Sequence, residues 1–274
     1  MIESLAVNSN VTVLRERLTR FLANHANWKI PLRSTLGRIQ ENSWRAVIFG
    51  GVLRDLVVFG NTEIPRDIDV VISDANTRDL EAAFGDLILS KNRFGGFRLR
   101  SAGWLIDMWA LGNTWAFRER LRETISFESL VHTTFLNVEA IAAEIQVQPG
   151  HPRTIYSAGF FESLNDKVLD INFEPNPNPD LCIVRSITMA LRLNWSISRR
   201  LGTYIVEHAS SIPLERLTAI QESHYGKVRI RQTRMLEYFE FIDRQLQVRS
   251  SDAIKLPATE GEQLALWKYW SPTC

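Results

Sequence analysis

Residues 67–73 read "DIDVVIS", a β-branched run with two carboxylates at its head. Such a run is a strand by composition. In a strand, side chains at i and i+2 share a face. Asp67 and Asp69 therefore project together, with Ile68 toward the opposite, packed side. Two carboxylates on one face repel, and burying either without a partner is costly. A divalent cation relieves both problems, and hard cations such as Mg²⁺ favour carboxylate oxygens together with substrate phosphates. Asp107, in "LIDMW", stands alone among apolar residues of another expected strand. Laid beside the first strand, it brings a third carboxylate to the same place.

The segment just upstream supplies a second half-site. "FGGVLRD" places Gly50 and Gly51 immediately before an expected helix, with Arg54 in its first turn. Glycine lets a backbone approach a phosphate closely, and a helix N-terminus favours anions. A helix start that holds phosphates, beside acids that hold a metal, makes a nucleoside-triphosphate site. A metal there activates an attacking hydroxyl and stabilises the departing pyrophosphate. Each piece alone has an ordinary meaning: a glycine turn, a solvated strand end, an Arg54–Asp55 surface pair. The combination is far more specific than any of its parts.

The flanking sequence alternates helix and strand. Residues 11–25 have helical spacing, "RAVIFGG" reads as a strand, and "VLRDLVVFG" as a helix closed by Gly60. "NTEIPR" is a turn. "NTRDLEAAFGDLILS" has helical spacing and a cap at Asn76 or Thr77, and "GGFRLRSAG" and "WLIDMWAL" are two more strands. "NVEAIAAEI" is helix-like. "EPNPNPD", residues 174–180, is the clearest linker, and the chain beyond it is mostly helical. The expectation is an α/β (α+β) head over residues 1–173 and an all-helical domain over 174–274.

Composition limits the alternatives. The net charge of +1 does not mark a strong nucleic-acid binder. Only six of the 32 basic residues are lysine, and arginine suits planar contacts to phosphate and carboxylate. The basic run Lys227, Arg229, Arg231, Arg234, Arg244 and Arg249 is interrupted by acids and reads first as a solvated helix face. Trp104 and Trp109, at strand spacing, fall on opposite faces, so at least one is core. Cys182 and Cys274 make neither a zinc motif nor a disulfide framework. No apolar run has membrane-spanning length, and the N-terminus lacks signal-peptide character, so a cytoplasmic protein is expected.

"GGVLRDLVVFGNTEIPRDIDVVI" resembles the signature of the class II tRNA CCA-adding enzymes and bacterial poly(A) polymerases, in the polymerase-β-like nucleotidyltransferase superfamily. "GFFESLNDKVLDI" and "DLCIVRSITMALRLNWSIS" resemble the segments that join that family's head to its neck. The resemblance covers roughly residues 44–240. It implies a five-stranded mixed sheet and a helical neck, with Asp67 and Asp69 binding Mg²⁺ or Mn²⁺ and Asp107 as the third acid. It implies that Gly50, Gly51 and Arg54 lie near the triphosphate, that Asp180 and Arg185 stand in for the base-reading pair, and that the acceptor is an RNA, a tRNA 3′ end above all. Two motifs depart from the pattern. Thr133, Thr134 and Phe135 occupy the R-R-D positions, and Asn178, Pro179 and Cys182 those of E-D-x-x-R. Two alternatives remain open: transfer of a nucleotide to a protein or small molecule, and a non-catalytic nucleotide- or RNA-binding module. A protein partner that supplies further RNA-binding surface is also consistent with the sequence.

Overall fold

The computed structural model describes residues 2–23 (side chains from residue 9), 29–60, 65 and 67–257. The expected turn "NTEIPR" falls almost wholly outside the described residues, as do the segment from 258 on and Cys274. The chain divides into two compact units. One holds the residues up to Thr134 together with Glu139–Phe161; the other holds Phe135–Val138 and the residues from Glu162 on.

The first unit is built on a mixed sheet. Its strands are β1 (Ala46–Phe49), β2 (Ile68–Ile72), β3 (Ile88–Lys91), β4 (Phe97–Ser101), β5 (Trp104–Ala110), β6 (Ile141–Glu144) and β7 (Ile155–Ser157). They lie in the order β3-β4-β5-β2-β1-β6-β7, seven strands where the resemblance implies five. β2 and β5 form the one parallel pair of this sheet, and the other neighbours are antiparallel. The helices are α1 (Ile2–Ala23), α2 (Ile30–Glu41), α3 (Gly51–Val58), α4 (Thr77–Phe84), α5 (Trp115–Arg118) and α6 (Phe127–Leu130).

Two local expectations are corrected. The helix over "NTRDLEAAFGDLILS" ends at Phe84, and Ile88–Lys91 turns into the edge strand β3. Its cap is settled as Asn76, whose side chain accepts from the amides of Arg78 and Asp79. "NVEAIAAEI" is no helix: Asn137–Glu139 makes one short turn and Ile141–Glu144 becomes β6. Alanine and glutamate favour helices, but this segment bonds β1 on one side and β7 on the other. Pairing on both edges outweighs an intrinsic preference of less than about 1 kcal/mol per residue. Helix α2 has no counterpart in the sequence reading. Pro31 sits in its first turn, where the missing N–H costs nothing, and Leu32, Leu36 and Ile39 form its buried face.

The second unit carries α8 (Pro179–Leu193), α9 (Arg199–Ala209), α10 (Leu214–Tyr225) and α11 (Gln232–Gln247); the short α7 (Phe160–Asp166) spans the division between the units. It is not all helical, because β8 (Val168–Leu169) and β9 (Ser196–Ile197) pair in parallel. Three arginines close helices. Arg17 donates to the carbonyls of Leu56 and Val57 at the end of α3, at 2.8 and 2.6 Å. Arg38 reaches the Ala83 carbonyl of α4 at 2.9 Å. Arg199 donates to Gln245, Leu246 and Val248 at the end of α11. The last carbonyls of a helix lack internal donors and carry partial negative charge, which a guanidinium satisfies on both counts.

Trp104 is buried, at 4% exposure, while Trp109 packs against the apolar cluster around Leu111, Phe117 and Phe127. The Trp109 indole crosses the backbone at Gly96. A Cβ there would meet its Nε1 at 1.9 Å and its Cδ1 at 2.1 Å. Gly96→Ala is therefore expected to destabilise the first unit by about 1–3 kcal/mol, the usual cost of overpacking. Urea unfolding read by tryptophan fluorescence measures it, and unchanged stability would show that the ring moves aside freely.

Candidate active site

The register of β2 and β5 sets Asp69 directly beside Asp107. Both side chains are on the half-buried face of the sheet, while Ile68, Val70, Ile106 and Met108 fill the other. Asp67 precedes β2 by one residue, in strand phase with Asp69. The three acids of the sequence reading thus fall at one place in the sheet.

Strand β1 runs antiparallel to β2, with Phe49 opposite Asp69. Gly50 and Gly51 consequently leave the sheet at the edge where the Asp67–Asp69 segment enters it. Gly50 has φ +69° and ψ −121°, a conformation that only glycine adopts without strain. Its own amide donates to the Ile141 carbonyl at 2.9 Å. No side chain caps the start of α3. The helix therefore begins beside the acids with its first amides not satisfied by a capping side chain.

Arg54 lies against the glycine turn. Its side chain is 3% exposed and folds beneath Gly51. Nε donates to Asp55 at 2.8 Å and Nη1 to Glu139 at 3.1 Å. The guanidinium ties α3 to the turn that leads into β6.

The sequence reading missed Arg98. It lies on β4 opposite Asp107 and grips that carboxylate with two hydrogen bonds, Nε at 2.7 Å and Nη2 at 2.5 Å. The hydrogen bonding to Asp107, with the charges of Asp107, Asp67 and Asp69, holds the guanidinium protonated more firmly than usual against the opposing effect of burial. A signal existed. Ala102 and Gly103, both at positive φ, close a two-residue hairpin that pairs Ser101 with Trp104 and so Arg98 with Asp107.

Carboxylate oxygens are the donors that Mg²⁺ prefers, and the positive group already lodged in this acid face shows that it suits a cation. Among the described residues no group of three or more His, Cys, Asp or Glu side chains is gathered into a metal cage. That is compatible with Mg²⁺, which usually takes one or two carboxylates and completes its shell with water and phosphates.

Thr133 and Thr134, at the R-R-D positions, turn their hydroxyls back to the carbonyls of Leu130 and Val131. Asp180 and Arg185 lie on α8 in the second unit. Asp180 accepts from Arg216 Nε at 2.9 Å. Five residues of helix place Asp180 and Arg185 about 140° apart, so they do not form a same-face pair.

No protein-family model and no curated protein matches the sequence. Solved structures do. A "tRNA-processing enzyme" in its apo form aligns with a TM-score of 0.55 at 20% identity, over 80% of this chain and 57% of its own. A tRNA nucleotidyltransferase complexed with a primer tRNA and an incoming ATP analogue gives 0.55 at 19%, over 79% and 62%. The Thermotoga maritima CCA-adding enzyme complexed with tRNA gives 0.58 at 18%, over 82% and 54%. The chain has the fold of these enzymes. It spans a little over half of their length.

The buried Arg54 gives a direct test. Arg54→Met leaves the Asp55 and Glu139 carboxylates without their shared cation, and breaking a buried pair costs about 3–5 kcal/mol. Thermal and urea unfolding are expected to show that loss. A variant of wild-type stability would show that the two acids find solvent instead.

Proposed function

We propose that the protein is a metal-dependent nucleotidyltransferase that moves a nucleoside monophosphate from a triphosphate to an acceptor hydroxyl. The observation that carries this reading is the juxtaposition of Asp69 and Asp107 on the parallel strand pair, with Asp67 beside them and the uncapped start of α3 at the same sheet edge. Asp67 and Asp69 are the proposed holders of Mg²⁺ or Mn²⁺. When bound, that ion supplies charge neutralisation for the triphosphate and activation of the attacking hydroxyl. Gly50, Gly51 and the first amides of α3 receive the phosphates, since their N–H groups and the helix dipole favour an anion. Asp107 faces the same site and orients the acceptor hydroxyl. Arg54 acts by position, fixing the angle at which α3 leaves β1.

An RNA 3′ end, in particular that of tRNA, is the proposed acceptor. The support is the fold shared with enzymes solved with tRNA and with an ATP analogue. A second acceptor class, a protein or small molecule, is favoured by one observation: several arginines are bound to helix ends and carboxylates.

One assay addresses both. The protein is incubated with each of four α-labelled nucleoside triphosphates, Mg²⁺ and total RNA, beside an Asp67→Asn/Asp69→Asn variant. Label on RNA that falls to background in the variant supports the reading, and its distribution over the four nucleotides gives the base preference. Label on protein or small molecules, equally lost in the variant, moves the acceptor but keeps the chemistry. Equal transfer by both proteins would remove the aspartates from the reaction.

A further inference from the structure

The acid face already contains a cation of the protein's own. Arg98 holds Asp107 by two N–H···O bonds, the two-point geometry in which guanidinium and carboxylate match best. Its side chain is 47% exposed, against 14% for Asp107. Among the described residues its hydrogen bonds and ion pairs go to Asp107 alone. No helix end or buried carbonyl depends on it, unlike Arg17, Arg38 and Arg199. It is thus a solvent-facing cation tied to one acid of the site.

We propose that Arg98 is the resident counter-ion of the acid face: it occupies Asp107 while the site is free of nucleotide, opposes metal binding in that state, and turns to the phosphates when a metal–nucleotide complex arrives. This rests on the reading of Asp67 and Asp69 as metal holders. The physical case is simple. Three carboxylates at close quarters repel, and a fixed positive charge lowers that repulsion without a metal. The same charge repels a divalent cation. A triphosphate offers Arg98 an alternative with equal two-point geometry and more negative charge. Metal and nucleotide then bind together more readily than the metal alone, and Arg98 is a positioning residue for both.

The test uses Mn²⁺, followed by its paramagnetic resonance, on the full chain without nucleotide. Arg98→Gln is expected to bind Mn²⁺ about tenfold more tightly than wild type, as expected when a like charge is removed from a partly exposed site. Arg98→Lys keeps the charge and is expected to stay near wild type. A non-hydrolysable ATP analogue is expected to bind Arg98→Gln more weakly than wild type, the opposite sign. Unchanged Mn²⁺ affinity in Arg98→Gln, with binding lost in Asp67→Asn/Asp69→Asn, overturns the role of Arg98 and leaves the metal reading intact. Mn²⁺ binding indifferent to the aspartates as well overturns both. Arg98→Lys behaving like Arg98→Gln overturns the charge argument, because the charge would then be irrelevant. Arg98 is exposed and caps nothing, so these variants are expected to fold; far-ultraviolet circular dichroism checks that.

Discussion

The parallel pairing of β2 with β5 is the constraint on which the first unit depends. Parallel neighbours cannot be joined by a tight turn; the chain must cross over, usually through a helix. Here the crossover holds α4 and then the strands β3 and β4, so β5 arrives already paired with β4. That closes the choice of edge. β5 has β4 on one side and offers the other to β2, whose remaining edge takes β1. One register then does the rest: Asp69 stands beside Asp107, and Arg98 stands beyond Asp107 on the next strand. A slip of one residue would turn these side chains to the packed face. The buried residues Ile68, Val70, Ile106 and Met108 oppose that slip, because it would expose them. The hydrophobic core therefore fixes the position of the charges.

Arginine is the second thread. Its abundance suggests phosphate contacts when the sequence is read alone. In the folded chain the guanidinium groups of Arg17, Arg38 and Arg199 close helix ends instead. Each stem spans the surface between elements and its fork satisfies carbonyls that would otherwise be orphans. A near-zero net charge accords with this use. Cations bound to helix termini and carboxylates contribute stability and orientation, and they add little to an attractive field around the molecule.

The legibility of the chain depends on the range of the forces involved. The strand character of "DIDVVIS", the shared face of Asp67 and Asp69, and the glycine-led start of α3 are local, and the residues themselves state them. The Arg98–Asp107 pair is legible too, through one further step. Once Ala102 and Gly103 are recognised as a two-residue turn, counting outward pairs 98 with 107. The neighbourhood of Asp69 and Asp107 is of another kind. No local signal sets the register of two strands separated by a helix and a hairpin. The strand β6 is illegible for the same reason, since its alanines favour a helix until two neighbouring strands claim its backbone. Where distant pairing competes with local preference, only the assembled sheet decides.

Two arginines of the first unit show how burial divides labour. Arg54 and Arg98 carry the same group and each binds carboxylate. Arg54 is 3% exposed and held by two acids, whereas Arg98 is 47% exposed and held by one. A buried cation with two bound carboxylates is not available to a ligand, because withdrawing it would strand both acids in a poor solvent for charge. A half-exposed cation exchanges partners at small cost, since water compensates most of the loss. In the proposed reaction the motif that contains Arg54 therefore meets phosphate through its backbone, by the glycine turn and the helix start that Arg54 holds in place. The exchangeable charge beside the acids comes from a different strand and lies outside the motif. A site assembled this way keeps its rigid part inside and its adjustable part at the surface, and the sheet register sets the distance between them.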